Sequence, residues 1–152
     1  MKKFKFSLEK VLSYKAQVEE SLRNEHAVTI RNVRNKEEEI EKLGNMRNAY
    51  MDDYDRQKKG VCSPQNLQAY NMYFTGIEDR ISQETFRLTA LREEERLCRE
   101  KVLEAKKERT SLEMLKGKKI KEYEEACRKE EELLIEEFVA NKSAAVKRKY
   151  AD

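Results

Sequence analysis

The chain has 152 residues, 41% of them charged and 38% hydrophobic, with four glycines, a single proline and a net charge of +3. Leu, Ile, Val and Phe together number 32, about a fifth of the chain; this fills a narrow seam between helices and excludes a thick globular core. The near balance of 33 basic and 30 acidic side chains gives no global field to draw nucleic acid, and no apolar run nears the roughly 18 residues of a membrane span.

The opening "MKKFKFSLEK" sets charges ahead of two phenylalanines but has no apolar stretch, so it is not a secretory signal, and the expected setting is cytoplasmic. Ser7 is placed as an N-cap, with Phe6 and Val11 spaced as a hydrophobic staple and Glu9 in the first turn, where the helix dipole favours an acid. No proline follows until residue 64, which predicts a first helix over about 7–58, roughly 75–80 Å long. Its heptad seam takes a positions at Leu12, Glu19, His26, Val33, Ile40, Arg47, Tyr54 and Val61. The d positions are Leu8, Lys15, Leu22, Thr29, Lys36, Leu43, Tyr50 and Gln57. Nine of these sixteen are apolar, so the polar entries cost stability while fixing register.

The stretch "KKGVCSPQNL" then breaks the pattern. Gly60 suits a left-handed helix end, Ser63 an N-cap and Pro64 the first helical position, which predicts a turn over about 59–63. A second helix is expected over about 64–140, roughly 110–115 Å long, followed by a frayed basic tail over about 141–152. Its a positions are Leu67, Phe74, Ile81, Leu88, Glu95, Val102, Arg109, Lys116, Tyr123, Glu130 and Glu137. Its d positions are Tyr70, Ile77, Glu84, Leu91, Cys98, Ala105, Leu112, Lys119, Ala126, Leu133 and Ala140. Fifteen of these twenty-two are apolar, a stronger seam than the first helix offers. Gly76 and Gly117 lie inside it, each costing up to ~1 kcal/mol against alanine, and Gly117 is the expected soft point.

Two seamed helices joined by a short turn predict an all-α fold, an antiparallel coiled-coil hairpin forming one domain. Reflection about residues 61–62 sets residue 5 opposite about 118. The last twenty or so helical residues then have no partner in the chain, although they carry Tyr123, Leu133, Leu134, Ile135 and Phe138. An apolar helix left without cover points to a partner elsewhere. Function is therefore expected at this overhang and on the outer faces, not in a pocket.

Catalysis has no support: there is one histidine, no glycine-rich phosphate loop and no nucleophile–base spacing, so no enzyme and no cofactor are expected. Cys62, Cys98 and Cys127 with His26 match no metal-ligand spacing and are expected as reduced thiols, Cys62 filling the turn and Cys98 packing as a small apolar residue. In "YNMYFTGI", Tyr73, Ile77, Arg80 and Glu84 follow one flank at helical spacing; aromatic residues beside arginine are what interface hot spots are made of, and the alternative is that Met72 and Tyr73 pack across the tip. Residues 99–121 carry nine basic and four acidic side chains, and residues 122–137 two basic and eight acidic. Either this is an ordinary solvated helix or the segment docks into a charged socket.

The start "FKFSLEKVLSYKAQVEE" resembles that of the flagellar export protein FliJ family, in which an F-x-F-x-L-x-x-V-L pattern opens a long first helix; Phe4, Phe6, Leu8, Val11 and Leu12 fit it. The single turn near residue 60, the aromatic segment after it and the acidic "EEELLIEEF" are similar as well. The resemblance implies a small cytoplasmic component of the flagellar type III export apparatus, at the membrane but not inserted in it. It implies an antiparallel two-helix coiled coil similar to the gamma-subunit stalk of rotary ATPases. The partners implied are the hexameric export ATPase, whose assembly and activity such proteins promote, the cytoplasmic part of the export-gate membrane protein, and export chaperones. By the same resemblance the gate-binding candidates are Tyr73, Ile77, Arg80 and Glu84. The candidates for the ATPase ring are Phe4, Phe6, Leu8, Leu12, Tyr123, Leu133, Leu134 and Phe138. Two rivals are the equivalent stalk of a virulence type III secretion system and a structural coiled coil that self-associates through its overhang.

Overall fold

The computed structural model describes residues 3–61 and 63–149; Cys62 and the last three residues of the basic tail lie outside them. Among the described residues all regular structure is helical. Helix α1 is Glu9–Lys58 and helix α2 is Pro64–Lys149, packed against each other as a helical hairpin. Packing divides the chain into two compact units, Met1–Gln17 with Lys106–Asp152 and Val18–Ala105.

The α2 start is set by Ser63: its hydroxyl and its carbonyl both accept from the Asn66 amide, at 3.3 and 3.1 Å, and Pro64 takes the first helical position, where no amide is needed. The end of α1 differs from expectation. No described glycine has a positive φ, so Gly60 does not supply a left-handed cap. Instead the Gly60 amide donates to the Gln57 carbonyl at 3.2 Å, tightening the last turn without a handedness change. At the other end the helix starts after the expected cap: Phe6 O accepts from the Glu9 amide and Leu8 O from the Leu12 amide, so Ser7 lies in the turn that leads in.

In the unit Val18–Ala105 the seam follows the heptads. Leu43, Ile77, Leu88 and Ala105 are buried, and so are Glu19, Thr29 and Glu84. The register matches reflection about the turn: Tyr50 stacks on Tyr73 with ring centroids 3.9 Å apart, and Tyr54 meets Tyr70 and Phe74 edge-on at 5.7 and 5.9 Å. Gln57 and Val61, assigned to the seam by their spacing, are exposed, because the pairing ends at this aromatic cluster.

In the unit Met1–Gln17 with Lys106–Asp152, Lys15 pairs with Glu108 at 2.6 Å, Lys116 with Glu9 at 2.7 Å, and Phe4 meets Tyr123 at 5.6 Å. Here the seam departs from strict heptads. The half-buried residues of α2 from Leu112 on run Leu112, Lys116 with Gly117, Ile120, Tyr123, Cys127, while Lys119 and Ala126 are exposed. One extra residue between inward positions after Lys116 is a local stutter: it unwinds the supercoil and turns Ile120 inward in place of a lysine. Beyond Cys127 every described residue is exposed, yet α2 continues to Lys149 rather than ending near 140. "EELLIEEFVANKSAAVKRK" is rich in good helix formers, and Lys147, Arg148 and Lys149 in the last turn suit the negative end of the helix dipole.

Candidate interaction surfaces

The first surface lies in the unit Val18–Ala105. Of the four flank residues, Arg80 is exposed and Tyr73 half-buried, but Ile77 and Glu84 are only 6% and 5% exposed and belong to the seam. Their d positions decide this: Ile77 and Glu84 face the partner helix, while Tyr73 and Arg80, each one residue before an a position, lie on its flank. Glu84 accepts from Lys36 Nζ at 2.6 Å and from Arg87 at 2.7 Å, and Lys36 also reaches Glu39 at 2.7 Å. These bonds hold the Glu84 carboxyl below its ordinary range, Lys36 being the main cause, and hold the Lys36 ammonium above its own, through Glu39 and then Glu84.

Tyr73, Ile77 and Arg80 instead line one side of a shallow groove whose other wall is Leu43 and Met46 on α1. Gly76 forms part of the floor, and a Cβ built on it meets nothing within 4 Å. The groove is thus an apolar trough with a cation at its edge and a vacant side-chain position inside. Met46 was not among the sequence candidates; the signal was the reflection rule, which sets 46 opposite 77 and 50 opposite 73.

About three helical turns along the seam lies a second ionic cluster. His26 Nε2 is 2.7 Å from Glu95 Oε1, and Arg99 donates to Glu95 at 2.7 Å. Arg99 first and His26 second pull the Glu95 carboxyl down to about 2. His26 is a seam residue with a carboxylate partner.

The second surface lies in the unit Met1–Gln17 with Lys106–Asp152. Phe4, Phe6, Leu8 and Leu12 are half-buried, and Phe4, Phe6, Glu9, Lys10 and Lys116 border a small cleft. Tyr123 packs under Phe4, and a hydrogen bond with Cys127 holds its hydroxyl above the usual tyrosine range. Leu133, Leu134 and Phe138 are 60%, 64% and 69% exposed, with Ile135 and Val139 beside them equally open. The structure therefore separates the eight ring candidates into five packed near the N-terminal arm and three that are bare.

Among the described residues no group of three or more His, Cys, Asp or Glu side chains could hold a metal ion, and no helix is long and apolar enough to cross a membrane. The surfaces can bind by apolar contact and charge. A family model described as "Flagellar FliJ protein" matches residues 4–148. No curated protein and no solved structure matches the chain.

Proposed function

The chain belongs to the flagellar FliJ family and is an export-related component of the flagellum; on that premise we propose that it is a non-enzymatic stalk-like element that binds the hexameric export ATPase, promotes its assembly and activity, and links it to the export gate and export chaperones. The observation that carries the ATPase contact is the apolar stripe of α2 that α1 and, at Tyr123, Phe4 of the arm before it cover, and that continues bare through Leu134 and Phe138. Phe4, Phe6, Leu8, Leu12 and Tyr123 stiffen the base of that stripe, and Leu133, Leu134 and Phe138 meet the ring. An asymmetric coiled coil inside a six-fold ring touches its subunits unequally, and so biases which nucleotide interface closes; it needs differential binding energy and no catalytic group of its own.

The groove of Leu43, Met46, Tyr73, Gly76, Ile77 and Arg80 is the surface for the gate protein. Tyr73 and Arg80 touch the partner, while Ile77 and Glu84 hold the groove's floor and register from within the seam. The protein works at the membrane-associated apparatus from its cytoplasmic side.

The test is the hydrolysis rate and hexamer fraction of the cognate export ATPase with and without this protein. Both rise if the stalk reading is right. Truncation after Cys127 removes the bare stripe, leaves the Phe4–Tyr123 contact intact and abolishes the stimulation; full stimulation by the folded truncation refutes the assignment of the stripe to the ring.

A further inference from the structure

We propose that, away from the ATPase, the bare stretch of α2 from Cys127 to Lys149 is covered by the same stretch of a second copy of this chain, paired antiparallel about a two-fold axis at residue 136. Three observations converge on this occupant.

The first is continuity. The covered stripe ends at half-buried Tyr123, beneath Phe4, and half-buried Cys127. Continued at heptad spacing it passes through Glu131, Leu134, Phe138, Asn141 and Ala145, all exposed. Glu9 of α1 faces α2 at Lys116 and the arm before α1 covers Tyr123, so beyond Cys127 the stripe runs out of cover and not out of apolar residues.

The second is charge. In the run from 122 to 132 the acids Glu122, Glu124, Glu125, Glu130, Glu131 and Glu132 outnumber Arg128 and Lys129, while Lys142, Lys147, Arg148 and Lys149 are the only charged side chains from 138 to 149. A parallel pair would set acid against acid and base against base along its length. An antiparallel pair centred on 136 brings the acidic run of each copy level with the basic run of the other, Glu124 to Glu130 alongside Lys142 to Arg148.

The third is the apolar centre. The same register places Leu134 against Phe138 of the other copy twice over, Cys127 against Ala145, and Glu131 against Asn141. This is the self-complementary patch that a two-fold interface requires. The pairing and the ATPase ring compete for the same stripe, so each excludes the other.

The test is sedimentation equilibrium of the full chain over a concentration series. The expected mass rises from 18.1 kDa toward twice that value. Phe138→Glu weakens the association by at least ~10-fold. Reversing Lys142, Lys147 and Arg148 to Glu weakens it as well, and reversing Glu124, Glu125 and Glu130 to Lys in the same chain restores it. Register is read by Ala145→Cys in a chain with Cys62→Ser and Cys98→Ser: mild oxidation links Cys127 of one copy to position 145 of the other, whereas Ser143→Cys gives no such link. Circular dichroism of each variant checks that α2 is intact. A mass fixed at the monomer value throughout the series, or a dimer indifferent to both Phe138→Glu and the charge reversal, overturns the proposal. Neither result touches the ATPase reading, which rests on its own assay.

Discussion

Residues 18–105 and residues 128–149 are made of nearly the same materials and meet opposite fates. In the first stretch the two helices enclose Glu19, Thr29 and Glu84 along with Leu43, Ile77 and Leu88. In the second, Leu133, Leu134, Ile135, Phe138 and Val139 are all more than half exposed. Hydrophobicity alone would have sorted these residues the other way. What decides burial in a two-helix seam is whether a partner helix stands opposite, and a charge is tolerated there when its neighbours complete its bonds, as Lys36 and Arg87 do for Glu84.

The sharpest way to break this comparison is to truncate one leucine in each stretch. Leu88→Ala opens a hole between helices that cannot collapse far, and is expected to cost ~2–4 kcal/mol in denaturant unfolding. A cost near zero would mean that the seam is fluid. Lys36→Ala comes next: it leaves the Glu84 carboxylate buried with Arg87 as its remaining ion-pair partner, and is expected to lower the thermal midpoint more than the paired change Lys36→Met with Glu84→Leu, which removes both charges. If the single and paired changes cost the same, the ion pair sets neither register nor stability.

Glu95 gives a pH test of the same seam. Its folded pKa of about 2 lies below the model-peptide value of 4.5, so its contribution is fully present above pH ~4.5 and is lost as the pH falls through about 2. The wild-type midpoint should drop across that window more steeply than that of Glu95→Gln. Parallel slopes would place the acid sensitivity in other carboxylates.

Much of the fold was legible because helices announce their ends chemically. Ser63 and Pro64 name a helix start, and alternating three- and four-residue apolar spacing names a seam. The stutter at Lys116–Ile120 was hidden by a rule that extends one register indefinitely, although a lysine at 119 beside an isoleucine at 120 was the signal that it had shifted. Gly60 misled because glycine permits a left-handed cap without requiring one. Of the surfaces, the bare stripe was readable from chain lengths alone, since a 50-residue helix cannot cover an 86-residue one. The groove at Tyr73 was half-readable: flank spacing along α2 shows Tyr73 and Arg80, but only the d positions of Ile77 and Glu84 and the pairing of 46 with 77 reveal that two of the four turn inward and that Met46 completes the wall.

A smaller effect is expected at Gly117. It sits in the stutter, and a Cβ added there meets nothing within 4 Å, so no close approach requires glycine. Gly117→Ala should stabilise the chain by ~0.5–1 kcal/mol through helix propensity. A loss of stability would mean that the stutter needs glycine's freedom. Gly76→Ala should gain similarly in stability while filling the trough, so a weaker gate-protein contact with a more stable fold would separate binding from folding at that groove.

The smallest effect is predicted where the sequence is most conspicuously apolar. Leu134→Ala removes a large side chain that touches no partner within its chain, and alanine is the better helix former, so at low protein concentration the unfolding midpoint should move by no more than ~0.5 kcal/mol equivalent. That near-silence holds only while the stripe is bare. Binding to the folded form alone adds stability that grows with partner concentration, and an isolated helical extension of this length is marginal without a packed face. Raising the concentration of the wild-type chain should therefore raise its midpoint and sharpen the melting of its C-terminal helix, and Leu134→Ala should lose that concentration dependence while keeping the dilute value. The leucine that contributes nothing to the monomer then accounts for much of what the helix gains on being covered, and the contrast with Leu88 reduces to the single variable of whether a second helix is present.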